Sequence, residues 1–143
     1  MARKMSKYNA QKIVQDGITF DSKTESQFYE HLKELKAKEK IENFELQPRY
    51  LLTPSFKKLG KNYRKAEYVA DFLIYHLDGS LEVIDIKGLA TETAKLKAKL
   101  FNYKYPNLKL TWLVRNKKYS ETGWIEYDEL AKLRRKNKKR STL

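Results

Sequence analysis

The fold is decided by residues 68–88, which read YVADFLIYHLDGSLEVIDIKG. Two mostly apolar runs of strand length, residues 68–77 and 81–87, lie on either side of the dipeptide Asp78-Gly79. Asp-Gly between two apolar runs is a strong signal for a tight hairpin turn, because both residues tolerate positive φ. The segment therefore predicts two antiparallel strands joined by a short turn.

Charged residues interrupt the apolar pattern at the end of the second predicted strand. Side chains of a strand alternate between its faces, so Asp85 and Lys87 share one face while Ile84 and Ile86 share the other. A carboxylate and an ammonium group are costly to bury in an apolar strand unless they are paired or serve a function. The two residues are therefore either a plain ion pair at a sheet edge or part of a site.

The length of the loop decides whether Asp71 joins this pair. A two-residue loop, Asp78-Gly79, would turn Asp71 away from Asp85. A three-residue loop over residues 78–80 would bring Asp71, Asp85 and Lys87 onto one face. The favoured short turn argues against a shared site, whereas a glycine bulge at the turn, or a bulge in either strand, would restore it.

Helices and further strands are predicted on both sides of this hairpin. The expected elements are a helix over about 23–40 that begins at Asp21-Ser22-Lys23-Thr24, a strand over 44–52 that ends near Pro54, a basic loop over 55–65, a helix over about 92–104 capped by Thr91, a strand over 108–114, a short strand over 124–127 and a last helix capped by Asp128. The order helix, three strands, helix, strand predicts an α/β fold in which helices flank a mixed central sheet.

Length and composition restrict the class of protein. A chain of 143 residues, with 41% hydrophobic and 34% charged residues, is the size of one globular domain. The absence of cysteine excludes disulfides, zinc–thiolate sites and a cysteine nucleophile, and two histidines are too few for a multi-histidine metal site. No apolar run approaches the length of a membrane span, and the N-terminus does not resemble a signal peptide. We therefore expect no membrane partner and a cytoplasmic location.

Basic residues are concentrated at the two ends of the chain. Of the net charge of +13, residues 1–12 contribute four bases without an acid and residues 132–143 contribute seven, whereas the middle is nearly balanced. We expect a basic arm over residues 1–16, a single domain over residues 17–131 and a basic tail over residues 132–143. Such arms attract polyphosphates without reading sequence, and the attraction weakens as salt increases. DNA, RNA and an anionic membrane surface all fit this charge, and the alternative is a tail that serves solubility or is disordered.

A third acid, Glu25, belongs to the inward face of the first predicted helix, because it precedes Phe28 by three residues and Leu32 by seven. The alternative is a capping box, in which Glu25 bonds the backbone of Ser22. Three carboxylates from separate elements and one lysine are able to form a magnesium site, since Mg²⁺ prefers oxygen ligands and keeps water or a substrate phosphate. Such a metal would neutralise a phosphodiester and activate water, with Lys87 orienting that water or stabilising the developing charge.

Four stretches, together with the set of Glu25, Asp71, Asp85 and Lys87, carry a resemblance to a known group of enzymes. The stretches are FDSKTE at 20–25, FELQP at 44–48, YVADF at 68–72 and DIKG at 85–88. They resemble a phage and prophage branch of the PD-(D/E)XK nuclease superfamily. That branch is similar to the phage endonuclease I type of Holliday-junction resolvase and to the nuclease subunit of some transposases. The resemblance covers residues 17–115 and implies a restriction-endonuclease-like fold with an αβββαβ core.

The resemblance also implies roles for individual residues. It implies that Asp71 and Asp85 bind a metal ion together with the carbonyl of Ile86. It further implies that Lys87 is the catalytic lysine and that Glu25 completes the metal shell. Two positions depart from the usual pattern, because the residue before Asp71 is alanine instead of proline and the second acid is the shorter aspartate. Both variations are tolerated in the superfamily, so the surrounding stretches carry more weight than the bare motif.

The implied function is hydrolysis of DNA phosphodiester bonds by a Mg²⁺-dependent endonuclease, with Mn²⁺ as a substitute. The implied substrate is branched DNA such as a Holliday junction, whose paired cuts require a symmetric homodimer. For a phage-encoded chain the location is the bacterial host cell. Three alternatives remain open: a non-catalytic nucleic-acid-binding accessory protein, a basic RNA-binding structural protein, and a nuclease of the same fold that acts on linear duplex or flap DNA.

Basic residues near the predicted site are candidates for DNA contact. One group lies in the loop that leads into the Asp71 strand and consists of Lys57, Lys58, Lys61, Arg64 and Lys65. The other group is the pair Lys95 and Lys99 on the second helix, which is either in contact with DNA or simply solvated. Tyr63 would stack on a base, act as a wedge or be an ordinary surface residue. Gln47 would contact substrate or satisfy the backbone. His31 and His76 are expected to be structural.

Overall fold

The computed structural model describes residues 11–141, which form three helices and eleven short strands. The helices are α1 (Lys23–Ala37), α2 (Glu92–Lys104) and α3 (Tyr127–Ser141). The strands are β1 (Ile13–Gln15), β2 (Ile18–Phe20), β3 (Asn43–Leu46), β4 (Arg49–Thr53), β5 (Phe56–Lys58), β6 (Lys61–Tyr63), β7 (Ala66–Val69), β8 (Phe72–Tyr75), β9 (Leu81–Ile86), β10 (Lys109–Arg115) and β11 (Trp124–Glu126). None of the helices in this part of the chain is both long and apolar enough to cross a membrane.

Five of the strands form one mixed sheet in the spatial order β11-β10-β9-β8-β3. β9 and β10 run parallel, as their connection through α2 allows, and the other neighbours run antiparallel. Along the chain, the elements of the main sheet and its covering helices come in the order α1, β3, β8, β9, α2 and β10. This order is helix, three strands, helix, strand, and β11 and α3 follow it. The expectation of an α/β fold with a mixed sheet is confirmed.

The central strands are apolar because helices cover both faces of the sheet. Phe28 of α1 packs on one face, in a cluster with Phe72 and Ile84. Phe101 of α2 packs on the other face, in a cluster with Val83. β9 contributes to both clusters, which explains why its sequence reads as an almost continuous apolar run.

The ends of the first two helices follow from local chemistry. α2 has the predicted limits, and the Thr91 hydroxyl accepts a hydrogen bond from the Ala94 N–H at 3.1 Å as an N-cap. α1 ends at residue 37, three residues before its expected end. Glu39 adopts the left-handed conformation with φ +55°, which ends the helix and returns the chain so that Ile41 is buried in the core.

Two predicted strands are each interrupted at the same level of the structure. The strand expected over residues 44–52 is divided into β3 and β4 by Gln47, which has φ +50°, and by Pro48. The strand expected over residues 68–77 is divided at Ala70-Asp71 into β7 and β8. The Gln47 N–H donates to the Asp71 carbonyl at 2.9 Å and the Ala70 N–H to the Pro48 carbonyl at 3.1 Å. Both segments of the chain therefore leave the main sheet at this point and continue as a separate two-stranded ribbon, β4–β7.

The β8–β9 hairpin turns through a loop that differs from both predicted ones. The loop consists of residues 77–79, because the His76 N–H donates to the Ser80 carbonyl at 2.9 Å. Gly79, with φ +87°, supplies the left-handed residue that such a three-residue turn needs, and its N–H donates to the His76 carbonyl at 3.0 Å. The turn thus starts one residue earlier than expected, and this shift decides which face each β8 side chain occupies.

Residues 55–65 form a hairpin and not the predicted loop. β5 and β6 pair with each other through a turn at Leu59 and Gly60, whose φ values are +49° and +76°. Two consecutive residues with positive φ are typical of a type I′ turn. All residues of both strands are exposed, so no alternation between apolar and polar side chains marked them as strands.

The domain begins before residue 17, so the expected basic arm is shorter than predicted. β1 pairs with β2 through a tight turn at Asp16-Gly17. The Tyr29 hydroxyl of α1 donates a hydrogen bond to the Asp16 carboxylate at 2.9 Å and ties this hairpin to the helix. The rest of the arm, residues 1–10, lies outside the described residues.

The expected basic tail is mostly helical. α3 begins at Tyr127, so Asp128 lies within its first turn and not before it, as a cap would. The helix continues to Ser141, through most of the expected tail, and residues 142–143 lie outside the described part. The border between domain and tail that the charge pattern suggested therefore falls inside a helix.

Phe101→Ala should lower the free energy of unfolding by about 3–5 kcal/mol, because it opens a cavity among buried aromatic rings. Urea denaturation measures this change. Tyr103→Ala on the same helix is the control, since Tyr103 is exposed and its loss should change the free energy by less than about 0.5 kcal/mol. Equal effects of the two substitutions would contradict the assignment of the α2 core.

Candidate active site

The side chains expected to form a site meet at one edge of the main sheet. Asp71 lies just before β8, Asp85 and Lys87 lie at the end of β9, and Glu25 lies in the first turn of α1. The β8–β9 register brings Asp71 beside Asp85, because the two-residue turn that would have separated them does not form and a three-residue loop takes its place. Glu25 is within electrostatic reach of the other three. We refer to Glu25, Asp71 and Asp85 as the acid cluster.

Asp85 is the most completely bonded member of the acid cluster, with a relative exposure of 5%. One carboxylate oxygen accepts a hydrogen bond from the Asp71 N–H at 3.1 Å. The other accepts from the Tyr68 hydroxyl and lies 3.3 Å from the Lys87 Nζ. A buried carboxylate needs such partners, since an unpaired one would lose its hydration without compensation.

Asp71 occupies the position where the ladder between β8 and β9 ends. Its carboxylate accepts a hydrogen bond from the Ile86 N–H at 2.8 Å, in place of a strand carbonyl. Burial raises the pKa of Asp71 to about 8, and the nearby carboxylates of Asp85 and Glu25 act in the same direction. The Ile86 amide opposes the increase. The carbonyl of Ile86 was the predicted ligand, whereas the contact that the structure contains is made by its amide.

Glu25 combines features of both interpretations considered above. Its N–H donates to the Ser22 hydroxyl at 3.1 Å, which is the N-cap half of a capping box. Its side chain lies near those of Asp71 and Asp85: burial raises the pKa of Glu25 to about 7, with further increases from Asp21 and Asp85. Lys87 partly offsets these effects. The backbone of Glu25 therefore caps α1, while its carboxyl group lies beside Asp85 and Lys87 and also bonds the backbone of Asp21.

Two aromatic residues of the site were missed by the sequence analysis. The Tyr68 hydroxyl, which donates to Asp85, accepts a hydrogen bond from the Trp112 indole N–H at 2.9 Å. The Lys87 Nζ lies 4.8 Å from the centre of the Trp112 ring, a cation–π contact. Trp112 is opposite Asp85 in the parallel β9–β10 register, which no local pattern reveals.

Two open spaces border the acid cluster. A groove of about 620 Å³ runs past Glu25 and Lys87, and Lys23 and Arg115 also line it. A smaller cavity of about 130 Å³ lies between Glu25, Asp71 and Gln47. A ligand in the groove would therefore have both carboxylate and basic groups within reach.

The geometry stops short of a complete metal-binding shell. Within residues 11–141, no three histidine, cysteine, aspartate or glutamate side chains are arranged so that they are able to hold a metal ion together. The oxygens of Asp71 and Asp85 are instead hydrogen-bonded to backbone amides and to Tyr68. Two adjacent carboxylates are nevertheless the kind of ligand that Mg²⁺ uses alongside water and phosphate oxygens.

Comparison with known families gives one match. A family model described as a protein of unknown function (DUF1064) matches residues 5–121. The chain belongs to this family. The matched region contains the acid cluster, Lys87 and the β5–β6 hairpin, and it ends before β11 and α3. No curated protein matches this DUF1064 chain.

The predicted DNA-contact residues of this DUF1064 chain lie in two places, and none of them lines the two open spaces beside the acid cluster. The first group is exposed on or just after the β5–β6 hairpin, where a loop was predicted, and consists of Lys57, Lys58, Lys61, Arg64 and Lys65. Lys95 and Lys99 border a separate cleft between α2 and β10, where Lys95 lies 3.4 Å from Glu92. Trp112 borders that cleft as well. Trp112 therefore connects the cleft that Lys95 and Lys99 border with the candidate site.

The histidines of the DUF1064 chain have packing or pairing partners. The His31 ring contacts that of Phe28, and burial lowers the pKa of His31. The His76 Nε2 lies 2.9 Å from Glu82, whose other carboxylate oxygen accepts from the Thr111 hydroxyl. These contacts are consistent with the expected structural roles.

Ionisation of Asp71 and Glu25 should lower the stability of this DUF1064 protein as the pH rises from about 5 to about 9 in EDTA, and the lowered pKa of His31 opposes this trend only at the acidic end of the range. The carboxyl groups of Asp71 and Glu25 have folded-state pKa values of about 8 and about 7, above the ordinary values near 4, so folding favours their protonated forms. The associated stability is present below the ordinary pKa and is lost as the pH rises through the folded pKa. Thermal melts in EDTA across this range measure it.

Asp71→Asn should flatten this pH dependence, raising Tm at pH 9 relative to the unmodified protein more than at pH 5. An uncharged amide keeps an acceptor for the Ile86 N–H and removes the repulsion with Asp85. Glu121→Gln, at an exposed position, is the control and should leave the slope unchanged. A slope in Asp71→Asn that parallels that of the unmodified protein would show that Asp71 is not the titrating group.

Proposed function

We propose that the protein is a Mg²⁺-dependent DNA endonuclease of the PD-(D/E)XK type. The observation that carries the proposal is the meeting of Asp71, Asp85 and Lys87 at the end of β9, with Glu25 beside them. The sequence resemblance assigns a function to these same four positions, which come from three separate segments of the chain. Their convergence is what a catalytic site needs and what scattered surface charges would not produce.

The order of the elements supports the proposal independently of the side chains. The main sheet and its covering helices follow the order helix, three strands, helix, strand, which is the order that the resemblance implies. In this arrangement Asp71 and Asp85 lie at the ends of neighbouring strands whose buried apolar side chains pack in the two core clusters. A site built on packed strands and helices is held more precisely than one built on loops.

The residues fit a divalent cation in their donor chemistry. Asp71 and Asp85, the carbonyl of Ile86 and the carboxylate of Glu25 are the groups that would hold it. When bound, Mg²⁺, or Mn²⁺ in its place, supplies neutralisation of the phosphodiester charge and lowers the pKa of a bound water. The raised pKa of Asp71 supports this assignment, because crowded carboxylates favour a compensating positive charge.

The side chains divide the remaining work of hydrolysis. Water oxygen forms a bond to phosphorus, one P–O ester bond breaks, and the leaving oxygen takes up a proton. The Lys87 ammonium is held between Asp85 and the Trp112 ring, so its position is set to orient the water or to stabilise the charge that develops on the phosphate. Tyr68 positions Asp85 through its hydroxyl group.

The choice of DNA, and of branched DNA cut by a homodimer, is the finer part of the proposal. It rests on the resemblance to phage resolvases and on the net charge of +13. Paired cuts in a two-fold symmetric junction require two copies of the site related by the same symmetry. A nuclease that acts on linear duplex or flap DNA would use the same residues.

A second candidate function is non-catalytic binding of nucleic acid. The hydrogen bonds that occupy the oxygens of Asp71 and Asp85 favour it, because they satisfy these carboxylates without a metal ion. This candidate predicts no cleavage of any substrate and no change of Tm with Mg²⁺ or Mn²⁺. The nuclease proposal predicts metal-dependent cleavage and an increase of Tm with either ion.

Asp85→Ala and Lys87→Ala should each reduce cleavage at least about 100-fold, because each removes a group that acts on the transition-state charge. The measurement uses labelled four-way junction, linear duplex and single-stranded DNA, each with and without Mg²⁺. Binding of the junction should persist in both variants. Lys36→Ala, on the far end of α1, is the control and should cut normally. Unchanged cutting by either site variant would end the nuclease assignment.

Tyr68→Phe should reduce cleavage about 10–100-fold while leaving the fold intact, since it removes only the hydroxyl that positions Asp85. Comparison of cleavage rates at saturating Mg²⁺ measures the effect. Tyr75→Phe is the matched control, because the Tyr75 hydroxyl bonds Glu45 at the surface. Equal rates for Tyr68→Phe and Tyr75→Phe would remove Tyr68 from the site.

A further inference from the structure

The β5–β6 hairpin projects from the domain without a covering layer. Its two strands pair only with each other among the described residues, and every residue from 53 to 65 is exposed. An isolated two-stranded hairpin is only marginally stable in water, so the β5–β6 hairpin contributes little to the stability of the fold. We call residues 56–63 of this hairpin the finger.

The finger carries apolar groups where solvent would favour polar ones. Phe56 and Tyr63 face each other across the strands, with ring centres 4.7 Å apart and planes within 6°. They remain 50% and 39% exposed. Leu59, at the tip, is 96% exposed. The stacked rings stabilise the hairpin as a cross-strand pair, but this role does not account for the leucine.

The tip of the finger uses an unfavourable residue for its conformation. Leu59 has φ +49° in a turn where Asn, Asp or Gly is usual, because a side chain with a β-carbon is strained there. A leucine at this position therefore costs stability and exposes apolar surface at the same time. Features that oppose folding in this way are a reason to look for a function.

The surroundings of these apolar groups are strongly basic. Residues 55–66 contain five bases and no acid, namely Lys57, Lys58, Lys61, Arg64 and Lys65. Lys65 pairs with Glu67 at 3.0 Å, whereas in the described part of the chain no acidic partner lies within 4 Å of the other four. Lys61 lies over the Tyr63 ring at 5.2 Å. A partner of the finger must therefore combine dense negative charge with flat or apolar groups.

We propose that the finger is a wedge that binds DNA where base pairs are open. The basic residues contact phosphates, while Leu59 and the Phe56–Tyr63 pair contact the faces of unpaired or unstacked bases. A closed duplex offers the phosphates but hides the base faces, so the finger selects branched or frayed DNA. The choice of DNA as the polyanion rests on the proposed function.

The position of the finger suits this role. The β4–β7 ribbon joins it to the acid cluster, because β7 ends two residues before Asp71. Tyr63, at the base of the finger, precedes Asp71 by eight positions, so the base of the finger lies at most about 29 Å from Asp71. A branch point held on the finger would therefore place a phosphodiester within a few nucleotides of the carboxylates.

The first test measures binding in EDTA, where no cleavage occurs, to a four-way junction, a linear duplex of the same sequence and a single strand. Leu59→Asn should reduce the preference for the junction over the duplex at least about 5-fold while Tm stays unchanged or rises, because asparagine suits the left-handed turn. Phe56→Val with Tyr63→Val, which keeps β-branched strand formers, should reduce it at least about 10-fold.

The matched control for the tip is Leu77→Asn. Leu77 is another leucine of a hairpin turn and is 60% exposed, but it lies on the β8–β9 loop away from the finger. Its substitution should leave the junction preference unchanged. An equal loss in Leu59→Asn and Leu77→Asn, or no loss in Leu59→Asn and the valine pair, would overturn the wedge.

The second test concerns the charges. Lys57→Gln, Lys58→Gln and Lys61→Gln together should weaken binding to all DNA forms and reduce the slope of log K against log salt by about 3. The control replaces three exposed lysines at the far end of α1, Lys36, Lys38 and Lys40, and should leave the slope nearly unchanged. Equal slopes for the two triple variants would refute phosphate contact by the finger.

The outcomes separate the wedge from the nuclease. Loss of junction preference in the finger variants, with no cleavage of any DNA in Mg²⁺, would support the wedge and refute the proposed function. Retained cleavage with unchanged preference would refute the wedge alone. Preferred binding of the finger to RNA, or to vesicles of anionic phospholipid over junction DNA, would overturn the proposal, because it names DNA.

Discussion

Two carboxylates, Asp71 and Asp85, lie side by side at the end of the central strand, and the surrounding structure is arranged to hold them there. Each would lose hydration on burial and each repels the other, which raises the pKa of Asp71 to about 8. Backbone amides, the Tyr68 hydroxyl and the Lys87 ammonium compensate for this cost. A protein without a use for the pair would be more stable with an apolar or amide side chain at either position. This unfavourable placement is the physical basis for regarding the edge of the sheet as a site.

The same constraint explains why the strands break where they do. Gln47-Pro48 and Ala70-Asp71 interrupt two strands at one level, and the hydrogen bonds between these breaks replace the ladder that is lost. The interruption frees the Asp71 carboxylate to accept from the Ile86 amide. It also starts the β4–β7 ribbon, which carries Tyr68 toward Asp85 and, at its other end, the exposed β5–β6 hairpin. The backbone irregularity thus connects the acids with an exposed basic segment of the domain.

The distribution of the net charge bears on the proposed function, because a DNA substrate would be a polyanion. The acid cluster would repel phosphates by itself, so binding has to come from bases placed around it. Lys23 and Arg115 line the groove beside Glu25, five bases lie on or just after the β5–β6 hairpin, and all seven bases of the C-terminal tail lie on α3. Because exposed bases act over about a Debye length, they attract a nucleic acid without fixing its position. Positioning is left to the rigid edge of the sheet and, in our proposal, to the finger.

Local patterns in the sequence were sufficient for the helices α1 and α2 and the strands β9 and β10, because capping residues and periodicity act over a few positions. Isolated charges in apolar runs also drew attention to Glu25, Asp71, Asp85 and Lys87, whose role as a site stays a prediction. Local patterns failed for the β5–β6 hairpin, whose strands have no buried face, and for the loop before Ser80, where one residue of shift reverses the face of Asp71. They also missed Tyr68 and Trp112, whose contacts join strands distant in sequence. The sequence by itself therefore determined which groups are present, whereas only the tertiary structure decided that they meet, since strand register depends on packing across the whole sheet.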